Sequence, residues 1–169
     1  MTEKQLWMLA VGGSAVLLLA AYIFQTIGYA PCAMCIWQRY PHASAIAIGA
    51  LLMVGLPIFL LLMAGAAAAL TTAGIGIFHT GVERDWWEGP TACTGSGLDI
   101  SNLSGADLLP SASSSPSNLV MCDEVAWEFL SLSMASWNAL WSFVIAGLWI
   151  MALAKAVRAY RPRENHTLT

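Results

Sequence analysis

Charge is scarce in this sequence. Only 10% of the 169 residues are charged and 58% are hydrophobic, whereas about a quarter of the residues in soluble domains are charged. The mean hydropathy is +0.66. The 7 basic residues are too few to form a nucleic-acid interface, so the sequence offers no argument for nucleic-acid partners. The composition therefore predicts an integral membrane protein whose solvent is the lipid bilayer.

Long apolar runs predict four membrane spans. A helix needs about 20 apolar residues to cross the bilayer, and residues 6–24 form the first such run. A cleaved signal peptide is the alternative, but its apolar region would be shorter. Residues 43–78 would be about 54 Å long as one helix and must fold back, with Gly55-Leu56-Pro57 as the expected hinge. The predicted spans are residues 6–24, 41–54, 58–78 and 137–154.

The few basic residues predict the orientation of these spans. Lys4 precedes the first span and four basic residues follow the last one, whereas residues 79–136 contain only Arg84. Positively charged segments stay in the cytoplasm, so both termini are predicted to be cytoplasmic. The predicted fold class is an all-α membrane protein, a four-transmembrane-helix bundle. It forms one domain over residues 1–169 in a bacterial inner membrane, with periplasmic loops at 25–40 and 79–136 and a cytoplasmic tail at 155–169.

Other features refine this picture. Residues 111–118 are rich in serine and predict a flexible tether, and the apolar residues between 98 and 109 suit a short helix on the membrane surface. Five tryptophans are predicted to anchor the protein at the membrane interface: Trp86, Trp87, Trp127, Trp137 and Trp141. Four small residues predict close helix packing in the third span: Gly65, Ala69, Gly74 and Gly76.

All four cysteines fall on the predicted outer side. Four cysteines allow three pairings. Pairing Cys32 with Cys35 and Cys93 with Cys122 is favoured, because it gives one tight ring and one tethered, mobile disulfide. Zinc held by four thiolates is an alternative, although the second CxxC of a structural zinc site is missing. Two purely structural disulfides are another, although a CxxC ring closes too small a loop to stabilise much.

CxxC spacing suits thiol–disulfide exchange, which needs a stabilised thiolate. Cys35 lies near the start of the second span, where the helix dipole favours negative charge, and Arg39 follows four residues later. Both features predict a lowered pKa for Cys35. Pro41 disfavours helix before it and predicts an irregular turn at residues 36–40. Because the second span is short, local thinning of the bilayer or a helical extension back toward Cys35 is also expected. Arg39 as an interfacial cation and His79 as a polar helix end are the simpler interpretations of those two residues.

Three segments together resemble one known family. They are Cys32-x-x-Cys35-x-x-x-Arg39, the stretch from His79 to Cys93, and the stretch from Cys122 to Leu130 followed by Ser133 to Asn138. With four spans and a second cysteine pair in the third loop, the pattern is similar to that of the DsbB family of disulfide-bond-formation proteins, apart from the tail. The serine-rich tract departs from the pattern of the best-known members.

The resemblance implies a quinone-dependent thiol oxidase that reoxidises a periplasmic dithiol oxidase of the DsbA type. By this analogy the partner attacks the Cys93–Cys122 disulfide, and electrons pass to Cys32 and Cys35 and then to a membrane quinone. Cys35 would lie beside the quinone, Arg39 would stabilise negative charge, and His79 matches a histidine near the quinone. No metal is expected.

The acceptor must have a high potential, because a DsbA-type pair is itself oxidising at about −120 mV. Ubiquinone is therefore the favoured acceptor, and menaquinone is possible. A reductase of the vitamin K epoxide reductase type is an alternative function, but its CxxC lies near the last span. A non-enzymatic membrane protein with stabilising disulfides is a further alternative.

Overall fold

The structure is a computed structural model that describes residues 1–90 and 121–166, with side chains to Tyr160. The predicted surface helix, the serine-rich tether and Cys93 lie outside the described residues. Within the described ranges the chain forms four helices and one hairpin. Their bounds are α1 Glu3–Thr26, α2 Ala33–Met53, α3 Ile58–Glu83, β1 Glu128–Phe129, β2 Leu132–Ser133 and α4 Met134–His166.

The four helices form a bundle in the ring order α1, α2, α3, α4. Helices α1 and α3 each pack against both α2 and α4. In the part of the chain that the structure describes, α1, α3 and the Met134–Tyr160 portion of α4 are long and apolar enough to cross a membrane. Outward-facing apolar side chains such as Val16, Leu19 and Leu60 are 61–66% exposed, as expected for contact with lipid. The predicted all-α class is confirmed, and the fourth crossing, by α2, stays a prediction.

The start of α1 and the later part of α4 meet at one end of the bundle. Helix α1 begins at a capping box in which the Thr2 hydroxyl accepts from the Gln5 backbone N–H and the Gln5 side chain accepts from Thr2 N–H. The Lys155 ammonium group, late in α4, donates to the Met1 carbonyl oxygen at 2.7 Å. This agrees with an even number of crossings, while the cytoplasmic placement of the termini remains a prediction.

The predicted hinge between the second and third helices is confirmed. Helix α2 ends at its C-cap Val54, and Gly55 follows with φ +87°, a conformation that glycine adopts without a steric penalty. Pro57 is the N-cap of α3. Because proline has no backbone N–H and a fixed φ, it is tolerated where a new helix begins.

Helix α2 extends back through the cysteine pair. The expected helical extension toward Cys35 is confirmed, whereas the irregular turn predicted at residues 36–40 is wrong, because the chain is helical from Ala33 through Pro41. The helix carries a buried stripe with helical spacing that includes Met34, Gln38 and His42. Packing of this stripe explains why the helix persists despite the local preference of the residue before a proline.

Small residues allow α3 and α4 to approach closely, as predicted. A Cβ atom added at Gly65 would lie 2.6 Å from the ring of Trp149, which is fully buried, and one added at Gly76 would lie 3.0 Å from the Ala139 Cβ. Ala69 is also buried in this core. Gly74 differs, because an added Cβ would meet no described atom within 4 Å. The prediction therefore holds for three of the four residues.

A short hairpin leads into α4. Its strands pair Glu128 with Ser133 and Phe129 with Leu132. The two turn residues, Leu130 and Ser131, both have positive φ, which the right-handed strand twist favours in two-residue turns. The Arg84 guanidinium donates to the Ser131 carbonyl at 2.9 Å. This bond fastens the hairpin to the end of α3.

Candidate functional site

Cys32 and Cys35 open helix α2 at the end of the bundle opposite the chain termini. Cys32 is the N-cap, and its sulfur accepts from the Cys35 backbone N–H at 3.0 Å. The two sulfurs are 2.7 Å apart, with the Cys32 thiol donating to the Cys35 sulfur. Both are free thiols, and Cys32 is only 4% exposed. The helix start thus holds a reduced pair in contact, a geometry that suits exchange between thiol and disulfide states.

The two thiols differ in acidity. The hydrogen bond from Cys32 lowers the pKa of Cys35, and the positive charge of Arg39 lowers it further, against the opposing effects of burial and of the Glu83 charge. The same hydrogen bond, together with burial, raises the pKa of Cys32. Cys35 is therefore the thiol of the pair that loses its proton more readily. The predicted direction is confirmed, although Arg39 is a smaller cause than the Cys32 thiol.

Arg39 crosses from α2 to the end of α1. Its guanidinium donates to the Gln25 Oε1 atom at 2.7 Å and to the Ala21 carbonyl at 3.4 Å, and it lies 4.8 Å from the centre of the Tyr22 ring. Its Nε atom is buried and has no hydrogen-bond partner among the described residues. A cation that extended from the membrane interface into water would not make these contacts with α1. Arg39 is instead fixed in place with one donor left for another group.

His79 lies beside Cys32. The ring is 2% exposed, and its Nε2 atom is 3.5 Å from the Cys32 sulfur and 3.7 Å from the Glu83 carboxylate. Its Nδ1 atom is 3.0 Å from the Gln38 side-chain nitrogen. Glu83 in turn accepts a hydrogen bond from Ser133 at the end of the hairpin. His79 is thus a buried, fully engaged side chain and not an exposed polar helix end.

The two sulfurs and the His79 ring also fit a soft metal ion. Their ligand atoms all lie within 4.8 Å of one another. The sequence suggested four cysteines as the alternative zinc ligands, whereas the described residues bring together two cysteines and one histidine. Structural zinc sites are closed by four ligands, so this cluster supplies one too few.

A buried polar network, which the sequence did not predict, runs inward from His79. Gln38 and His42 of α2 meet Asn138 of α4 and Thr72 of α3, with Asn138 bonded to all three side chains at 2.7–3.1 Å. Gln38, His42 and Thr72 are at most 6% exposed. Polar residues inside membrane bundles are costly and often functional, so the presence of His42, Thr72 and Asn138 within the predicted spans was the signal that could have found them. Gln38 lies in the predicted outer loop and gave no such signal.

A cavity of about 440 Å³ adjoins the cysteine pair. Its walls come from all four helices and the segment after Cys122, and they are mostly apolar. Cys35 and Arg39 lie in its wall, as does His79. Three tryptophans that were predicted only as interfacial anchors also line it: Trp127, Trp137 and Trp141. An apolar cavity with a few convergent polar groups is the usual form of a small-molecule site.

The second cysteine pair is described in part. Cys122 is fully buried, takes part in a disulfide, and lies in one apolar cluster with Cys32, Met34 and Val82. Its backbone is hydrogen-bonded to His79. Cys93, its predicted partner, lies outside the described residues, so that pairing stays a prediction. The structure nevertheless brings a cysteine of the third loop next to the CxxC pair.

Comparisons with known proteins identify relatives of this chain. Residues 3–152 match the family model for DsbB, disulfide bond formation protein. Disulfide bond formation protein B of Aromatoleum aromaticum is 30% identical over 79% of this chain and 81% of its own length. The same-named proteins of Pasteurella multocida and an Acidovorax species are 29% and 28% identical, over 97% and 85% of this chain and 93% and 83% of their own lengths. No solved structure shows a significant match.

Proposed function

The chain belongs to the DsbB family of disulfide bond formation proteins, and from this membership we propose that it is a quinone-dependent thiol oxidase of the bacterial inner membrane. It reoxidises a soluble periplasmic dithiol oxidase of the DsbA type and passes the electrons to a membrane quinone. The observation that carries the proposal is the placement of Cys35 and Arg39 in the wall of an apolar cavity, beside the buried Cys122.

The proposed route transfers a disulfide to the partner by four exchanges. A thiolate of the partner attacks Cys93 of the Cys93–Cys122 disulfide, forms a mixed disulfide and releases Cys122 as a thiolate. Cys122 attacks Cys32 of the oxidised Cys32–Cys35 pair, forming a new disulfide and releasing Cys35 as a thiolate. The partner's second thiolate attacks the mixed disulfide, so the partner leaves oxidised and Cys93 is released; Cys93 then attacks Cys122, which restores the Cys93–Cys122 disulfide and releases Cys32. The reduced Cys32–Cys35 pair would then give its two electrons to a bound quinone. Two features support this direction. Cys122 and Cys32 share one buried cluster, and the lowered pKa of Cys35 makes it the better leaving group.

The residues around the cavity fit a quinone. A volume of about 440 Å³ lies within the range of small-molecule sites. The buried Arg39 Nε atom has no described partner and offers a donor to an acceptor oxygen, while its guanidinium adds positive charge beside Cys35. Three tryptophans supply flat apolar surface. A bound quinone would supply a two-electron, two-proton acceptor, and ubiquinone is favoured over menaquinone by the high potential that the cycle needs.

The proposed function also predicts which end of the bundle faces the periplasm. The CxxC pair and Cys122 lie at the end of the bundle opposite Met1 and Lys155. With both termini in the cytoplasm, that end faces the periplasm, where a soluble partner could meet the third loop. The function therefore also requires α2 to complete a fourth crossing.

Coupled turnover in membranes tests the proposal. Vesicles containing the protein should oxidise a reduced DsbA-type partner with matching loss of quinone, and Cys93→Ala and Cys35→Ala should each abolish the coupling. A Ser117→Ala variant, in the tether, is a matched control for a small change in the same loop as Cys93. Undiminished coupling in Cys35→Ala would refute the route and would favour a non-enzymatic role with structural disulfides.

The position of the CxxC also separates the oxidase from the alternative reductase. In the vitamin K epoxide reductase type the CxxC is expected near the last span, whereas here it begins α2. The family membership and this position both favour the oxidase.

A further inference from the structure

We propose that Gln38 is a positioning residue that fixes the tautomer of His79, so that the histidine presents an N–H group to the Cys32 sulfur. The buried amide of Gln38 touches His79 directly and is itself oriented by two independent contacts. His79 then acts as a hydrogen-bond donor to Cys32 and not as the base that removes its proton.

The first contact that orients Gln38 is a backbone carbonyl. The Gln38 side-chain nitrogen lies 3.4 Å from the Met34 carbonyl oxygen, which can only accept. The NH₂ group of Gln38 must therefore face this way. The same nitrogen is 3.0 Å from His79 Nδ1, so Nδ1 must accept a hydrogen bond and carries no proton.

The second contact, with Asn138, fixes the orientation of the Gln38 amide through its oxygen atom. The Thr72 hydroxyl donates its single hydrogen to the Gln38 main-chain oxygen at 3.2 Å, so toward Asn138 it can only accept. The Asn138 amide nitrogen, 3.1 Å from Thr72, is then the donor. That nitrogen also lies 2.7 Å from the Gln38 Oε1 atom, which places the Gln38 oxygen toward Asn138 and its nitrogen toward His79.

The orientation of Gln38 determines which nitrogen of the neutral His79 ring carries the proton. A neutral imidazole with an unprotonated Nδ1 carries its proton on Nε2. The Cys32 sulfur at 3.5 Å and the Glu83 carboxylate at 3.7 Å can both accept from this N–H group, and the Cys122 backbone is also hydrogen-bonded to the His79 ring. An N–H group there stabilises negative charge on Cys32 whenever that sulfur leaves a disulfide. This last step rests on the proposed function, whereas the tautomer does not.

Nitrogen NMR of the full-length protein in detergent tests the tautomer without partner or quinone. Histidine ring nitrogens labelled with ¹⁵N give distinct signals when protonated and unprotonated, and loss of signals in His79→Gln assigns the residue. In the reduced protein we expect the unprotonated signal from Nδ1 and the protonated signal from Nε2. The reverse assignment in the wild-type protein would overturn the proposal.

A variant of Gln38 tests whether this side chain sets the tautomer of His79. Gln38→Glu keeps the size of the side chain but replaces the donor with an acceptor, so Nδ1 of His79 should gain a proton. Gln5→Glu makes the same substitution at the far end of the bundle, where the capping box accepts a glutamate, and should leave the His79 signals unchanged. An Nδ1 signal that stays unprotonated in Gln38→Glu would show that Gln38 does not set the tautomer. Because neither readout involves turnover, failure of the oxidase assay would leave them unaffected.

Discussion

Single-cysteine variants can measure how far the Cys32 side chain stabilises the Cys35 thiolate. Two proteins are compared, each with Cys93→Ala and Cys122→Ala, one carrying Cys32→Ser and the other Cys32→Ala. Each leaves Cys35 as the only thiol. Serine keeps a hydroxyl that can donate to the Cys35 sulfur in place of the thiol, which donates across 2.7 Å, whereas alanine removes the donor.

The size of the effect follows from one hydrogen bond to a charged sulfur. Such bonds contribute about 1.5–3 kcal/mol, and one pKa unit corresponds to about 1.4 kcal/mol. The pKa of Cys35 should therefore be about 1–2 units higher in the alanine variant than in the serine variant. Burial opposes the thiolate in both proteins and so cancels in the comparison.

The assay is the rate of alkylation of Cys35 as a function of pH in detergent-solubilised protein. Since the thiolate is the reactive form, the midpoint of the profile reports the pKa. The serine variant should reach its midpoint at the lower pH. Equal midpoints in the two variants would refute the claim that the Cys32 side chain is the main cause of the lowered pKa.

Other predictions concern the network, the helix packing and the cavity. Asn138→Leu removes three hydrogen bonds, and at about 0.6 kcal/mol per bond in membrane bundles the free energy of unfolding in an SDS titration should fall by about 2 kcal/mol; an unchanged value would contradict the network. Gly65→Ala places a methyl group 2.6 Å from the Trp149 ring and should cost about 1–3 kcal/mol in the same titration, while Gly74→Ala should not destabilise. Equal effects of the two alanines would argue against the close α3–α4 contact. Arg39→Met should raise the apparent quinone KM more than it lowers kcat, and unchanged kinetics would remove Arg39 from the site.

Local sequence patterns were sufficient for the parts of the fold that depend on local physics. The apolar runs placed the helices, and Gly55 with Pro57 placed the hinge, because backbone freedom and a missing donor act within a few residues. The irregular turn predicted at residues 36–40 was wrong because a long-range effect, and not a local one, decides the structure there. The local effect of Pro41 was overridden by packing of the buried stripe around Gln38, which only the tertiary structure supplies.

The site residues also separate into those that the sequence could predict and those that only the structure shows. Cys32, Cys35 and Arg39 could be found because their spacing within one helix is itself the signal. The contact between Gln38 and Asn138 joins residues 100 positions apart, and nothing in the spacing of one sequence indicates it. His79 was identified as a site residue by resemblance alone, and its contact with Cys32 came only from the packing of α3 on α2.

The most direct test of the proposed electron route is a stoichiometry measured without oxygen. Purified protein, reduced DsbA-type partner and ubiquinone are mixed anaerobically, and quinol and partner disulfide are both counted over time. Over many turnovers the proposed route predicts one quinol for each partner disulfide formed, and in Cys35→Ala it predicts no quinol and at most one partner disulfide per protein molecule. Partner disulfide that accumulates without quinol would contradict the claim that the cavity beside Cys35 delivers electrons to a quinone.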